Sequence, residues 1–448
     1  MRILIISGES FPGFEGRNLP IAIELIRRGH DVVHTGPTSS MKEQGFLSTT
    51  FNSSFADRVD AKEANTRLFS TWNELKRFID CSQVVLFGTA KHYKNAADYA
   101  RVEGKVILWH RDVGPTHIWL RNPHRVAVRG CFEIDEVKRH SGLDENDIRV
   151  TGCTQFDAAA PSNERLNKRE FCEKYNLDPN KNTAVFLSAT PAYHTDYVKK
   201  NYHQIFEVIS SVANHNLILK PHPREFARAK QEQHYKETKT PTWRQWAPSM
   251  TACDPVDTYD CYRHSDVMIV SGSQAFMESA LFHLPALDVN LSEVRSTDFQ
   301  ISLKEALKFI PAKRFSPPSR RVYKKFGYLQ NHIKEFSSEK SRNLAAAKVE
   351  LYKEYYAPNL HDFIGTECGL DELKEVLESY SYRIKGRNVF DEYVTEYCYA
   401  NDGKAYLRVA DFIEEVESIR QLAGLLKPSI KKGLGRLFRK MKRSLVEA

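Results

Sequence analysis

Two segments constrain this chain most: LILKPHPRE at residues 217–225 and VMIVSGSQAFMESALFHLP at residues 267–285. Each opens as a short apolar run of strand type. Each then breaks into a polar turn where a parallel strand hands over to a helix. In open α/β sheets that handover is where ligands bind, and the helix N-termini there favour anions. The first turn carries Lys220, His222 and Arg224. The second carries Ser271, Gly272, Ser273 and Gln274, with Glu278 one turn further on. Together they read as a site for a nucleoside diphosphate.

The same alternation runs through the rest of the chain. RILII at residues 2–6 is a buried-strand run, followed by a glycine-rich loop over residues 8–16. Asn18 is placed to cap a helix with Pro20 in its first turn, and Ile21, Leu25 and Ile26 supply the apolar face. DVVHT at 31–35 is the next strand, and further strands are expected at 83–87, 106–109, 126–128 and 148–150. A polar stretch after Asp157, with one helix over 164–175, reads as an interdomain connection. A second alternation starts at 183–188 and continues through a helix near 202–212 and strands at 217–220 and 267–270. Strands alternating with helices predict parallel, doubly wound sheets. The expected class is therefore α/β, with two facing Rossmann-like doubly wound domains and a helical C-terminal extension. Residues 1–160 form the first domain and 180–310 the second. Residues 311–426 form a mainly helical region completing or extending the second domain, and 427–448 a basic tail.

Glycines 8, 13 and 16 do not give G-x-G-x-x-G, which disfavours a nicotinamide enzyme. No apolar run approaches the roughly 18–20 residues needed to span a bilayer, and the N-terminal apolar stretch is too short for a signal peptide. The eight cysteines include no Cys-x-x-Cys pair, so reduced thiols in a cytosolic setting are expected and a zinc site is not. The formal charge is +8, but the eight Lys and Arg residues between 427 and 443 account for all of it. A neutral body argues against a protein that tracks nucleic acid. In the tail, Ile430, Leu434, Phe438, Met441 and Leu445 fall near one helical face, with basic residues on the others. That is the pattern of a helix lying on an anionic membrane surface, against the alternatives of a nucleic-acid tail or a solubilising end.

In the first turn, Pro221 and Pro223 fix the backbone on both sides of His222. A rigid imidazole beside Lys220 and Arg224 suits binding a phosphate or stabilising one as it leaves. In the second turn, glycine and serines after a strand let backbone N–H groups and hydroxyls face an anion. Gln274 and Glu278 share a helix face, and a carboxylate there can accept hydrogen bonds from a ribose. Taken alone, the serine turn reads better as an ordinary helix cap with a first-turn acid.

These residues resemble the motifs of GT-B glycosyltransferases and their relatives. The nearest likeness is to bacterial surface-polymer enzymes: CDP-glycerol glycerophosphotransferases, Kdo transferases of capsule assembly and, more distantly, UDP-N-acetylglucosamine 2-epimerases. His222–Pro223 matches the HP element that follows a strand in those families. Ser273 and Gln274 fall at the Ser-Ser or Ser-Thr positions, an amide replacing the second hydroxyl, and Glu278 lies seven residues before Pro285. RVTGCTQFD at 149–157 is similar to the V-T-G-x-x-x-x-D stretch that ends the first domain. MRILIISGE and RRGHDVV resemble the GT-B opening. The resemblance covers roughly residues 1–290 and implies an acceptor bound by the first domain and a nucleotide-activated donor by the second. It also implies no metal and no cofactor. The diphosphate charge would be met by helix ends, Lys220, His222 and Arg224.

An inverting sugar transfer needs a base in reach of the acceptor hydroxyl. Glu9, directly after the first strand, and Asp112, in WHRDVGP after the strand at 106–109, are equal candidates, with Glu15 behind them. The expected function is transfer of a sugar from a nucleotide-activated donor to a cell-surface glycan or lipid-linked acceptor, at the cytoplasmic face of a membrane. A CDP-polyol phosphotransferase, with His222 acting directly in phosphoryl transfer, is the enzymatic alternative. A non-catalytic nucleotide-sugar-binding protein at the membrane is the other.

Overall fold

A computed structural model describes residues 1–7, 18–38, 57–88, 94–111, 123–187, 204–221, 251–270, 278–290, 365–384 and 387–424. The first sheet contains β1 (Arg2–Ile6), β2 (Asp31–Thr35), β3 (Val84–Phe87), β4 (Val106–His110), β5 (Arg125–Val128) and β6 (Ile148–Val150). Its order is β2-β1-β3-β4-β5-β6, and every neighbouring pair is parallel. The second sheet contains β7 (Asn182–Leu187), β8 (His215–Lys220), β9 (Val267–Val270), β10 (Ala286–Asn290) and β11 (Gly365–Gly369). Its order is β11-β10-β9-β7-β8, again parallel throughout. Read in chain order, both sheets place their second strand outside the first and the third on its other side. Each therefore has a topological switch point, between β1 and β3 in one and β7 and β9 in the other. The α/β class and paired doubly wound sheets expected from the sequence are present.

Strand periodicity explains the two-sided cores. Ile3 and Ile5 point to one face of the first sheet, where they pack with α1 (Leu19–Arg27). Leu4 and Ile6 point to the other face, packing with α3 (Trp72–Cys81) and α4 (Lys94–Val102); a short α2 (Val59–Glu63) precedes these. Thr71 and Glu74 form a reciprocal capping box that starts α3. In the second sheet Val185, Leu187 and Ile218 line one face, and Ala184, Phe186 and Leu219 the other. α5 (Ile134–Ser141) connects β5 to β6, and between the two sheets in sequence come a 3-10 stretch Thr154–Ala159 and α6 (Lys168–Tyr175), which starts on an Asn167–Glu170 capping box. The second sheet also carries α7 (Thr258–His264) and α8 (Leu373–Glu378).

The C-terminal residues divide between the two sheets. β11 and α8 join the second, while α9 (Arg387–Tyr393) and a π-helical turn Val394–Cys398 lead into α10 (Ala405–Gly424), which returns to the first. Val409, Phe412, Ile413 and Val416 of α10 are buried in the same core as Ile3, Ile5 and Leu108. Arg28, which caps the C-terminus of α1, pairs with Asp411 and Glu414 of α10 at 2.6 and 2.7 Å, and His30 with Glu414 at 2.7 Å. The crossing chain runs close over the first domain: a Cβ on Gly130 would lie 2.3 Å from the carbonyl oxygen of Glu396. Among the described residues, no helix is long and apolar enough to cross a membrane. The tail at 427–448 and residues 291–364 lie outside the described residues.

Candidate functional site

At the C-terminal edge of the second sheet, β7 lies between β8 and β9. Lys220 is the last residue of β8, level with Leu187 of β7, and β9 ends at Val270. With parallel strands about 4.8 Å apart, the two ends are roughly 10 Å apart across β7. This edge holds the switch point, the position at which open α/β sheets take ligands. His222, Arg224, Ser271, Gly272, Ser273 and Gln274 lie outside the described residues, as do Glu9, Glu15 and Asp112. Of the expected site residues, Lys220 and Glu278 are described, and both belong to segments that flank β7.

Glu278 is half-buried and accepts a hydrogen bond of 3.1 Å from Nε2 of Gln155. Gln155 belongs to the stretch that ends the first domain, so this contact joins the two halves of the chain. The stretch is fastened on both sides. The backbone carbonyl of Gln155 accepts from the Tyr259 hydroxyl at 3.2 Å, and Arg263 donates to the carbonyls of Ala159 and Ala160. Asp157 accepts the backbone N–H groups of Ala405 and Tyr406 at 2.8 and 2.9 Å. Burial raises the Asp157 carboxyl above its ordinary value, and those two bonds partly offset the rise. The Tyr262 phenol, fully buried nearby, is pushed up first by burial and then by the Glu278 charge, so it stays protonated.

The C-terminal edge of the first sheet carries a buried polar chain that crosses its switch point. Asn18 donates through Nδ2 to Ser7 Oγ at 2.8 Å and accepts at Oδ1 from Nδ1 of His110 at 3.2 Å. Ser7 Oγ meets Nε2 of His34 at 2.8 Å, and Nδ1 of His34 meets Thr66 Oγ1 at 3.0 Å. Burial lowers His34 from 6.5 to about 4, so this imidazole is neutral and uses one nitrogen to donate and the other to accept. Asn18 thus does not cap α1 with its side chain, as its position in the sequence predicts. Its amide is committed to Ser7 and His110 instead. Gly88 makes room for it, since a Cβ there would lie 2.1 Å from Nδ2 of Asn18.

This run of hydrogen bonds joins the described residues that precede the two candidate bases in sequence. Ser7 is two residues before Glu9, and His110 is two before Asp112. Arg111, which precedes Asp112, is anchored as well. It lies 1% exposed, with Nη2 3.3 Å from Glu133, and Glu133 also binds Arg129 at 2.9 Å. Although burial opposes it, the Arg111 and Arg129 charges hold the Glu133 carboxyl below its ordinary value. Among the described residues, no group of three His, Cys, Asp or Glu side chains is placed to hold a metal ion.

No protein-family model matches the chain, and no curated protein matches it. Solved structures do. A protein described as a UDP-N-acetylglucosamine 2-epimerase, from Listeria monocytogenes, matches with a TM-score of 0.52 at 11% identity, over 92% of this chain and 95% of that one. The UDP-N-acetylglucosamine 2-epimerase of Methanocaldococcus jannaschii, solved with UDP-GlcNAc and UDP, matches with a TM-score of 0.50 at 13% identity, over 93% and 100%. The wall teichoic acid polymerase TagF also matches, with a TM-score of 0.47 at 9% identity, over 94% and 90%. The two epimerase likenesses, with the paired parallel sheets, show the fold: two Rossmann-like domains of GT-B type.

The sequence reading does not single out Gln155, Ser7, His34 or Glu133. His34 had a signal, as a histidine inside an otherwise apolar strand run. Gln155 had none, because a glutamine in a polar connection is ordinary.

Proposed function

We propose that the chain is a glycosyltransferase that moves a sugar from a nucleotide-activated donor to a cell-surface glycan or lipid-linked acceptor. The observation that carries this reading is the edge around β7. Lys220 ends the strand on one side, and the segment bearing Glu278 follows the strand on the other. Gln155 reaches Glu278 from the first domain at 3.1 Å. A donor diphosphate held between β8 and β9 has its charge met by Lys220, His222, Arg224 and the helix end after Ser271–Gln274, without a metal or cofactor. Glu278 takes the ribose. The acceptor lies on the first domain, and Glu9 or Asp112 removes its proton. Their segments start from Ser7 and His110, which Asn18 joins. Residues 427–448 hold the enzyme on an anionic membrane through basic and apolar faces.

The test begins with ligand binding. UDP, CDP, GDP and CMP are titrated against the protein by thermal shift, and the nucleotide that stabilises it selects the donors for turnover. UDP-linked sugars are included because the Methanocaldococcus epimerase was solved with UDP-GlcNAc and UDP. Sugar transfer with release of the nucleotide supports the reading, and Glu9→Gln or Asp112→Asn abolishes it. Release of CMP with transfer of glycerol or ribitol phosphate replaces it with the polyol phosphotransferase. Donor binding without turnover, and polymer synthesis that survives replacement of both acids, replaces it with a binding protein. Loss of residues 427–448 is expected to shift the protein off liposomes containing anionic lipid, and unchanged sedimentation removes the membrane role.

A further inference from the structure

Gln155 is held unusually firmly for a residue in a connecting segment. Its backbone carbonyl is bound by Tyr259, and two residues on, Asp157 is bound to the start of α10. Its amide nitrogen donates to Oε1 of Glu278 at 3.1 Å. An ionised carboxylate only accepts hydrogen bonds, so the amide must turn its NH2 group to Glu278 and its oxygen away. That oxygen, Oε1, is buried and has no hydrogen-bond partner among the described residues. The hydroxyl of Thr154, the preceding residue, is likewise buried and without a partner. Buried polar atoms in native proteins are nearly always bonded, and an orphan acceptor beside a candidate site asks for a donor from beyond the described residues, a place a bound ligand can fill.

We infer that Gln155 is a ligand-contacting residue of the donor site, where its free Oε1 and the Glu278 carboxylate together receive the two hydroxyls of a ribose. The inference rests on the donor site proposed above, in which Glu278 takes the ribose, and adds Gln155 of the first domain to it. Acceptors on two side chains that are bonded to each other match a vicinal diol, which offers two O–H donors. A 2′-deoxyribose offers one, and leaves an acceptor orphaned. The site therefore selects ribonucleotides, and it does so with a residue supplied by the end of the first domain. Donor binding then adds a contact across the two halves of the chain.

The experiment is titration calorimetry of the full chain with UDP, CDP, GDP and their 2′-deoxy counterparts. Wild type, Gln155→Ala and Gln155→Asn are compared, and circular dichroism establishes that each variant is folded. Gln155→Asn keeps an amide one methylene short of its place and is the variant that spares the fold if alanine does not. Wild type is expected to prefer the ribonucleotide by about threefold to tenfold, the effect of one hydrogen bond. Both variants are expected to bring that ratio towards one, chiefly by weakening the ribonucleotide. A purely structural Gln155 would weaken both sugars equally, and an unchanged ratio in the variants overturns the inference while the donor site stands. So does a wild type that binds both sugars equally. A wild type that binds no nucleotide removes the donor site, and this inference with it.

Discussion

Asp157 and Ala405, 248 positions apart in sequence, are joined by a hydrogen bond of 2.8 Å in which the Asp157 carboxylate caps the first turn of α10. Tyr406 donates its N–H to the other carboxylate oxygen at 2.9 Å. The residue that ends the first domain thus starts the helix that returns to it. Asp157→Ala leaves two N–H groups uncapped and is expected to cost about 1–2 kcal/mol. Asp157→Asn keeps one of the two acceptor oxygens, turns an NH2 group towards the other N–H and sheds the charge that burial disfavours, so it should cost less than alanine, about 0.5–1 kcal/mol at neutral pH. Urea denaturation of the three proteins measures the difference. Equal losses for alanine and asparagine contradict the cap.

Gly130 is extended at φ −148, a conformation open to any residue, so only space requires glycine there. The carbonyl oxygen of Glu396 and the carbonyl carbon of Tyr397 would stand 2.3 and 2.8 Å from a Cβ, and both are backbone atoms that no rotamer change moves aside. Gly130→Ala is expected to destabilise the chain by at least about 1–3 kcal/mol, by prising the turn Val394–Cys398 away from the first domain. A melting temperature equal to wild type speaks against that close approach.

The strand runs were legible because a buried parallel strand is written as a short apolar stretch, as RILII and VMIV are. β11 was not, since GTECG holds neither an apolar run nor alternation, and its pairing with β10 is what makes it a strand. The position of α10 was also hidden. Its apolar stripe predicts that a helix packs on something, while the choice of the first sheet depends on Asp157 and Gly130 far upstream. Lys220 and Glu278 were legible from their motifs. Asn18 was misread as a cap because a sequence shows that an amide precedes a helix and not that two buried partners, Ser7 and His110, compete for it.

Those partners make Asn18 a sensitive position. Asn18→Leu strips Ser7 and His110 of a bond each in a buried setting, at an expected cost of about 1–3 kcal/mol. Under the function proposed above, both acceptor-side segments lose their common anchor. Turnover should fall while the nucleotide Kd, set on the other domain, stays near wild type. Calorimetric titration beside the rate measurement separates the two, and a Kd that falls apart in step with kcat argues against the division of labour.

Acid should loosen the contact between α1 and α10. Hydrogen bonds from Arg27 first, and then from Arg28, hold Glu24 down from the ordinary 4.5 to about 2, although burial opposes them. Arg28 continues to Asp411 and Glu414 on α10. A carboxyl lowered in the folded state stabilises the fold above its unfolded value and loses that contribution as the pH falls through its folded one. The window here runs from about pH 4.5 down to about 2. Glu24→Gln should be less stable than wild type at neutral pH and should lose less stability across that window. Denaturation curves at pH 7, 4.5 and 3 test this, and parallel acid profiles for the two proteins would remove Glu24 from the account.

The return of α10 makes the first domain depend on residues at the far end of the chain. Phe412 is 1% exposed in the core that Ile3, Ile5 and Leu108 also form, and the Arg125 guanidinium lies 5.6 Å over its ring. Phe412→Ala opens a cavity there at an expected cost of about 3–5 kcal/mol. Because the cavity faces the first sheet, amide exchange should quicken in β1, β3 and β4 and much less in β7, β8 and β9. Phe186→Ala is the mirror case: Phe186 packs edge-on to Phe206 within the second sheet's core, with ring centroids 5.0 Å apart. Its effect should fall on β7 to β10. Hydrogen exchange read by mass spectrometry resolves the two patterns. If Phe412→Ala loosened the second sheet instead, the helix would have to be assigned to the domain it follows in sequence rather than the one whose core it fills.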